Sequence, residues 1–290
     1  MWKTVNEHIS QAIHYDFKHT HKRQLQSSSS DKLFHLSNGT QNYLVKVALK
    51  NELERFESEA IGLELLAQNS VFMVPDCIVT GANIEFSFIV LEWLVLDKQP
   101  HDTWSAMGKN LAKMHTIHEQ AMFGFDVDNY LATTIQPNRW HKKWDVFYAE
   151  ERIGWQLQLL AEKGINFVEP ERLINTIKEQ LHSHQVKPSL LHGDFWRGNM
   201  GFINMLPTVF NPACYYGDRE VDIAMSELFA PLPENFYTAY NQQYPLSQNY
   251  QKRKLIYQLY PILNHANIFA GHYLTEAKQH IEMLTATNVK

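Results

Sequence analysis

Apolar side chains at Trp2, Val5, Ile9, Ile13 and Phe17 recur at helical spacing, so residues 2–17 are expected to open the chain as an amphipathic helix. The polar stretch Gln24-Leu25-Gln26-Ser27-Ser28-Ser29-Ser30-Asp31 reads as a loop. Leu33-Phe34-His35-Leu36, Ser37-Asn38-Gly39-Thr40 and Tyr43-Leu44-Val45-Lys46-Val47 then make a strand, a turn and a second strand. Helical period returns over 52–68, where Leu53, Phe56, Ala60, Leu63, Leu66 and Ala67 share one stripe. Residues 71–79 and 85–94 read as two further strands joined by the turn Gly81-Ala82-Asn83. From about Asp102 the pattern is mainly helical, over 103–117, 140–163, 169–183, 222–229 and 255–285.

The change near Asp97-Lys98-Gln99-Pro100 divides the chain into a small β-rich lobe with one central helix, 1–97, and a larger helical lobe, 98–290. The expected fold class is α+β with two lobes, and 290 residues suffice for a core in each. A net charge of −5 argues mildly against a nucleic-acid partner, though it leaves room for a local basic pocket. Cys77 and Cys214 stand far apart outside any CxxC pair, which speaks against a zinc site or a disulfide framework. The first residues lack the apolar core of a signal peptide, and the longest apolar run, near 88–96, is interrupted by Glu92 and too short to span a membrane. A cytoplasmic protein without a membrane partner is expected.

Candidate chemistry concentrates in Leu190-Leu191-His192-Gly193-Asp194-Phe195-Trp196-Arg197-Gly198-Asn199. An apolar strand leads into a loop with an Asp, and an Asn follows five positions later. A kinase catalytic loop has this spacing, its Asp accepting the substrate hydroxyl proton and its Asn ligating Mg²⁺. A turn rich in His, Gly and Asp is the plainer alternative. Pro207-Thr208-Val209-Phe210-Asn211-Pro212 repeats the design, an apolar strand ending in a polar group where a kinase places a metal-chelating Asp. Here the group is the neutral amide of Asn211, or else Asn-Pro simply initiates a turn.

Lys46 lies in an expected strand and Glu59 in the helix after it, matching the lysine that holds nucleotide phosphates and its glutamate partner. Taken alone, Lys46 reads as well as a surface residue, and Glu57 competes with Glu59. Glu92-Trp93-Leu94 follows the strand where a kinase hinge would pair its backbone with adenine. Asp222 is either a helix cap or a buried anchor bracing the catalytic loop. The ordered set of Lys, Glu, Asp, Asn and Asn211, on a β-rich lobe followed by a helical one, points to a protein-kinase-like fold.

The chain resembles the fructosamine kinase (ketosamine-3-kinase) family, relatives of the aminoglycoside phosphotransferases. The resemblance rests on Leu191-His192-Gly193-Asp194, Trp196, Gly198-Asn199, Pro212-Ala213-Cys214-Tyr215-Tyr216-Gly217-Asp218-Arg219-Glu220, and the block Gln136-Pro137-Asn138-Arg139-Trp140 through Trp144, Phe147-Tyr148 and Arg152. It implies ATP-dependent phosphorylation of a sugar hydroxyl in a ketosamine or glycated amine, with Mg²⁺. By the same resemblance, Asp194 is the base, Asn199 and Asn211 are metal ligands, and Lys46, Glu59 and residues 92–94 hold the nucleotide. Trp140, Trp144, Arg152 and Trp196 are expected to line the sugar-amine side, although Trp140 and Trp144 also suit core anchors of a helix. The chain departs from the family at Gln26-Ser27-Ser28-Ser29-Ser30, where glycines usually cover the phosphates, and at Asn211, where the family has Asp. The second departure motivates the alternative function, a kinase homologue that binds a nucleotide or a sugar amine with weak or no turnover.

Overall fold

The computed structural model describes residues 1–26, 31–98 and 103–286. Its contacts divide the chain into two compact units, Met1–Gln99 with Gly201–Asn211, and Pro100–Met200 with Pro212–Lys290. Serines 27–30 and the Gln99-Pro100 boundary lie outside the described residues.

The first unit opens with α1 (Trp2–Ile13), which ends one turn earlier than its apolar stripe because His14 adopts a left-handed conformation. Phe17 still reaches the core: its N–H donates to Ser10 Oγ at 2.9 Å, and its ring is buried with Val5 and Ile9. Strands β1 (His21–Gln24), β2 (Lys32–Ser37) and β3 (Asn42–Leu49) precede α2 (Leu53–Asn69), then β4 (Cys77–Ala82) and β5 (Phe86–Glu92). They form one antiparallel sheet of order β1-β2-β3-β5-β4. β1 escaped the sequence reading because all four of its side chains are polar and exposed, leaving no alternation to detect. Gly81 and Ala82 belong to β4; the turn is made by Asn83, whose Oδ1 accepts the N–H groups of Glu85 and Phe86.

Strand alternation sorts this sheet into two faces. Val45 and Val47 of β3 and Phe88 and Val90 of β5 bury against α1. Leu44 and Ala48, with Ile89 and Leu91, bury against Phe56 and Leu63 of α2. Lys46 shares the second face by period, which points a lysine at a helix that carries Glu59.

The second unit begins with α3 (Trp104–His115) and a small hairpin, β6 (Asn129–Leu131) and β7 (Thr134–Gln136). Next come α4 (Trp144–Phe147), a π-helical segment Tyr148–Gly154, α5 (Trp155–Glu162) and α6 (Pro170–His182). Helix thus starts at Trp144, leaving Trp140 in the preceding loop. β8 (Ser189–Leu191) leads to the 192–199 loop, which closes in a short 3₁₀ turn, Arg197–Asn199. β9 (Met200–Ile203) and β10 (Leu206–Val209) follow as a hairpin that belongs mostly to the first unit. Met73 pairs with β10 through bonds to Pro207 O and from Val209 N, and Asp97 N–H donates to Phe202 O. A division at 97/98 leaves this hairpin in the second lobe, because a short hairpin in a helical stretch carries no sign of its partner.

β11 (Tyr215–Gly217) returns to the second unit and pairs antiparallel with β8. α7 (Glu220–Ser226), α8 (Glu234–Gln243), α9 (Tyr250–Phe269) and α10 (His272–Ala286) complete it. The helical pattern over 255–285 is two helices, separated where Ala270 and Gly271 both take positive φ. α3 and α8 approach so closely that a Cβ on Gly108 would lie 2.2 Å from Phe236 O. Gly-to-Ala normally favours a helix by about 1 kcal/mol. Gly108→Ala should instead destabilise by about 2 kcal/mol, since the obstacle is backbone; a shift of the urea midpoint to lower concentration checks this.

Candidate active site

The first unit supplies a cation held between two oxygens. Lys46 Nζ donates to Glu59 Oε1 at 2.6 Å and to Asn211 Oδ1 at 2.5 Å. Both members of the ion pair are largely buried, whereas the competing Glu57 is exposed. A buried ion pair with an added hydrogen bond holds its geometry far better than a solvated one. Beside it lies a cavity of about 120 Å³ walled by Leu44, Leu91 and Phe210, with residues 92–94 and Asn211 in its lining. Trp93 turns its ring onto His35, at 4.2 Å between centroids. Asn211 has φ 54, a left-handed conformation that Asn tolerates better than most residues, immediately before Pro212.

The second unit supplies the loop bearing Asp194. The fully buried carboxylate of Asp222 accepts the N–H groups of His192 at 2.8 Å and Gly193 at 2.9 Å. Its Oδ2 also meets His115 Nε2 at 3.2 Å, and His115 Nδ1 lies 2.9 Å from Tyr240 OH. Asp222 is therefore an anchor in the first turn of α7, bracing the loop from behind. Gly193 has φ 80, and a Cβ there would stand 2.0 Å from Ala213 O, so only glycine fits. Ala213 N–H in turn donates to His192 O at 2.8 Å.

Asp194 is half-buried, and Asn199 Nδ2 donates to its Oδ2 at 2.6 Å and to its backbone O at 3.0 Å. Burial pushes the Asp194 carboxyl up to about 7 and the charge of Asp222 adds to this, while hydrogen bonds from Asn199 and Trp196 pull the other way. A carboxylate poised near neutrality suits a general base.

For Mg²⁺ the donor chemistry is oxygen throughout, as that hard cation requires. Asn199 and Asn211 each offer one neutral amide oxygen, and the Asn211 oxygen already accepts a bond from an ammonium. Neither amide brings charge, so an ion held at either would have its charge met chiefly by the phosphates it arrives with.

The expected sugar-side residues separate. Trp144 is buried among Phe123, Phe147, Tyr148 and Tyr257, and its Nε1 donates to Tyr257 OH at 3.1 Å. Arg152 is fully buried, donating to Pro137 O at 2.5 Å and Asn138 Oδ1 at 2.6 Å, with the Tyr215 ring 4.0 Å from its guanidinium carbon. A substrate-lining role for these two is corrected by that burial; they are framework. Asn138 continues the framework to Asn129, whose Nδ2 donates to Cys214 O at 2.7 Å. Trp140 remains half-buried, its Nε1 on Asp126 and its ring stacked on Tyr216. Trp196 is half-buried beside Asp194. Sequence reasoning missed His115, a lone histidine at a helix end that no spacing distinguishes.

A sheet with a strand lysine bonded to a helix glutamate, and a helical unit with a braced aspartate loop, define a protein-kinase-like phosphotransferase fold. The crystal structure of a thermostable mutant of aminoglycoside phosphotransferase APH(4)-Ia, in ternary complex with ADP and hygromycin B, shares it: TM-score 0.61 at 12% identity, covering 99% of each chain. More specifically, the chain belongs to the fructosamine kinase family, whose profile matches residues 1–287. It is 44% identical over 281 residues to the "Probable ketoamine kinase VP1481" of Vibrio parahaemolyticus, covering 96% of this chain and 97% of that one. The crystal structure of a "Putative fructosamine-3-kinase" from Haemophilus somnus 129PT superposes with TM-score 0.94 at 35% identity, over 98% of this chain and 97% of that chain.

A carboxyl raised above its unfolded value of about 4 stabilises the fold only while protonated, so this contribution is lost as pH climbs through about 7. In the metal-free protein, Asp194→Asn should therefore melt higher than the parent at pH 8, with the gap closing towards pH 4.5. Scanning calorimetry at both pH values checks this, and a gap of the same size at both would contradict it.

Proposed function

We propose that the protein transfers the γ-phosphoryl group of Mg-ATP to a sugar hydroxyl of a ketosamine. The observation that carries this reading is the joint presence of the Lys46, Glu59 and Asn211 bonds and the Asp194 and Asn199 bonds, set in a chain of the fructosamine kinase family. The name of the relative in Vibrio parahaemolyticus and the ADP in the aminoglycoside phosphotransferase complex support a ketoamine acceptor and an adenine nucleotide.

Each residue then has a role that its surroundings allow. Lys46, fixed by Glu59, neutralises phosphate charge, and residues 92–94 border the place for the base. Asp194 accepts the proton of the sugar hydroxyl as its oxygen attacks phosphorus and ADP departs. Asn199 holds the Asp194 carboxylate through its amide nitrogen, and its oxygen would be the group to hold Mg²⁺, which would offset phosphate charge. Among the described residues no helix is long and apolar enough to cross a membrane, in keeping with a small-molecule enzyme of the cytoplasm. ADP release with fructoselysine and ribuloselysine under saturating Mg-ATP tests the reading. Turnover should fall on the order of 10²–10⁴-fold in Asp194→Asn, and folded parent protein that releases no ADP with either sugar would overturn it.

A second reading, a homologue with weak turnover, is favoured by one observation: the oxygen of Asn211 is neutral and already engaged by Lys46. Restoring a carboxylate with Asn211→Asp should then raise turnover, on the order of 10²-fold by comparison with other preorganised electrostatic groups. Steady-state ADP release across a Mg²⁺ titration distinguishes the readings: an unchanged rate shows that the amide suffices.

A further inference from the structure

A row of aromatic rings leads away from the Asp194 loop within the second unit. Trp196 starts it, two residues after the base, its backbone N–H donating to Asp194 O at 3.1 Å. Gly198 makes room for the indole, since a Cβ there would lie 2.2 Å from the ring. Phe229, in the turn after α7, meets Trp196 edge-on at 6.0 Å. Phe229 then stacks on His265 of α9 at 4.8 Å. His265 contacts Phe269, one turn later on α9, at 5.5 Å and Tyr273 of α10 at 4.8 Å. The positive φ of Ala270 and Gly271 turns the chain between the two helices, bringing Tyr273 back to His265.

These rings differ from the core aromatics of the same unit. Phe236, Tyr240, Tyr257 and Tyr260 are at most 2% exposed, whereas Phe229 is 39% and Phe269 56% exposed. A contiguous, solvent-facing aromatic row costs solubility unless something covers it. Burial and the nearby His272 push His265 down from its ordinary value, so its imidazole is neutral at physiological pH. The row thus offers π faces and hydrocarbon edges, with no charge at its centre that a ligand would have to desolvate.

We propose that this row is the subsite for the non-sugar arm of the ketosamine, the substituent on its amine nitrogen, and that it selects aryl or long alkyl arms over small ones. The proposal rests on the kinase reading, because that reading places the sugar hydroxyl at Asp194. Trp196 belongs to both places: its backbone N–H is tied to Asp194 O, and its ring opens the row. An arm leaving the sugar along Trp196 meets Phe229 and then Phe269, and each ring removes apolar surface from water.

Two acceptors that differ only in the arm test this: 1-benzylamino-1-deoxyfructose and 1-amino-1-deoxyfructose. The parent should favour the benzyl compound in kcat/KM by about tenfold or more. Phe229→Ala and Phe229→Ser, at an exposed position whose ring touches Trp196, should each shrink that ratio at least threefold. A parent with no preference, or variants of native circular dichroism that keep the full ratio, would overturn the subsite. A change of oligomeric state in Phe229→Ala with an unaltered ratio would also overturn it, assigning the row to a second copy of the chain. Should neither sugar release ADP, the kinase reading fails by itself. The same ratio, taken from calorimetric dissociation constants without ATP, then decides the subsite independently.

Discussion

One buried carboxylate sets the position of the Asp194 loop. Asp222 accepts two consecutive backbone N–H groups, at His192 and Gly193, and meets His115 on its other side. An unsatisfied buried N–H costs about 1–3 kcal/mol, so a loop that presents two of them inward has one favourable placement. The second constraint is steric, since Gly193 passes so close to Ala213 O that no side chain could follow. Asp194 is thereby fixed from behind by a hydrogen-bonded anchor and from the side by the segment that leads into β11. Its own carboxyl is left beside Asn199 in surroundings dry enough to raise its affinity for a proton.

The same economy governs the first unit. Strand period puts Lys46 on the face packed by α2, and helix period puts Glu59 where the lysine ends. A charged pair in that position would be costly if either partner were missing, since breaking a buried pair leaves an uncompensated charge. Asn211 joins the pair through its amide oxygen from a left-handed backbone conformation before a proline. Strain of this kind persists where surrounding structure holds it, and it gathers at sites of function. A neutral group at this point leaves the lysine with less negative charge around it than a carboxylate would.

Much of this was legible in the residues because the signals were periodic or evenly spaced. The alternation of β3 and the stripe of α2 revealed the sheet and its helix, and the spacing from Asp194 to Asn199 revealed the loop. What stayed hidden lacked such a signal. β1 has four exposed polar residues, β6 and β7 are three residues each, and the break between α9 and α10 depends on two backbone angles. The 136–152 block was legible as important but not in its role. Trp144 and Arg152 look from sequence like ligands for a sugar, yet burial makes them a frame that runs through Asn138 and Asn129 to Cys214. Residue type announces chemistry; only the fold says whether the chemistry faces a substrate or the protein itself.

The proposed reaction passes phosphate from ATP to a sugar oxygen activated by Asp194. Phosphorus NMR of the protein with Mg-ATP and fructoselysine tests it most directly. A new phosphomonoester resonance, coupled to a sugar proton and absent with Asp194→Asn, is the predicted result. Inorganic phosphate as the sole product would mean that water is the acceptor, and would contradict the claim.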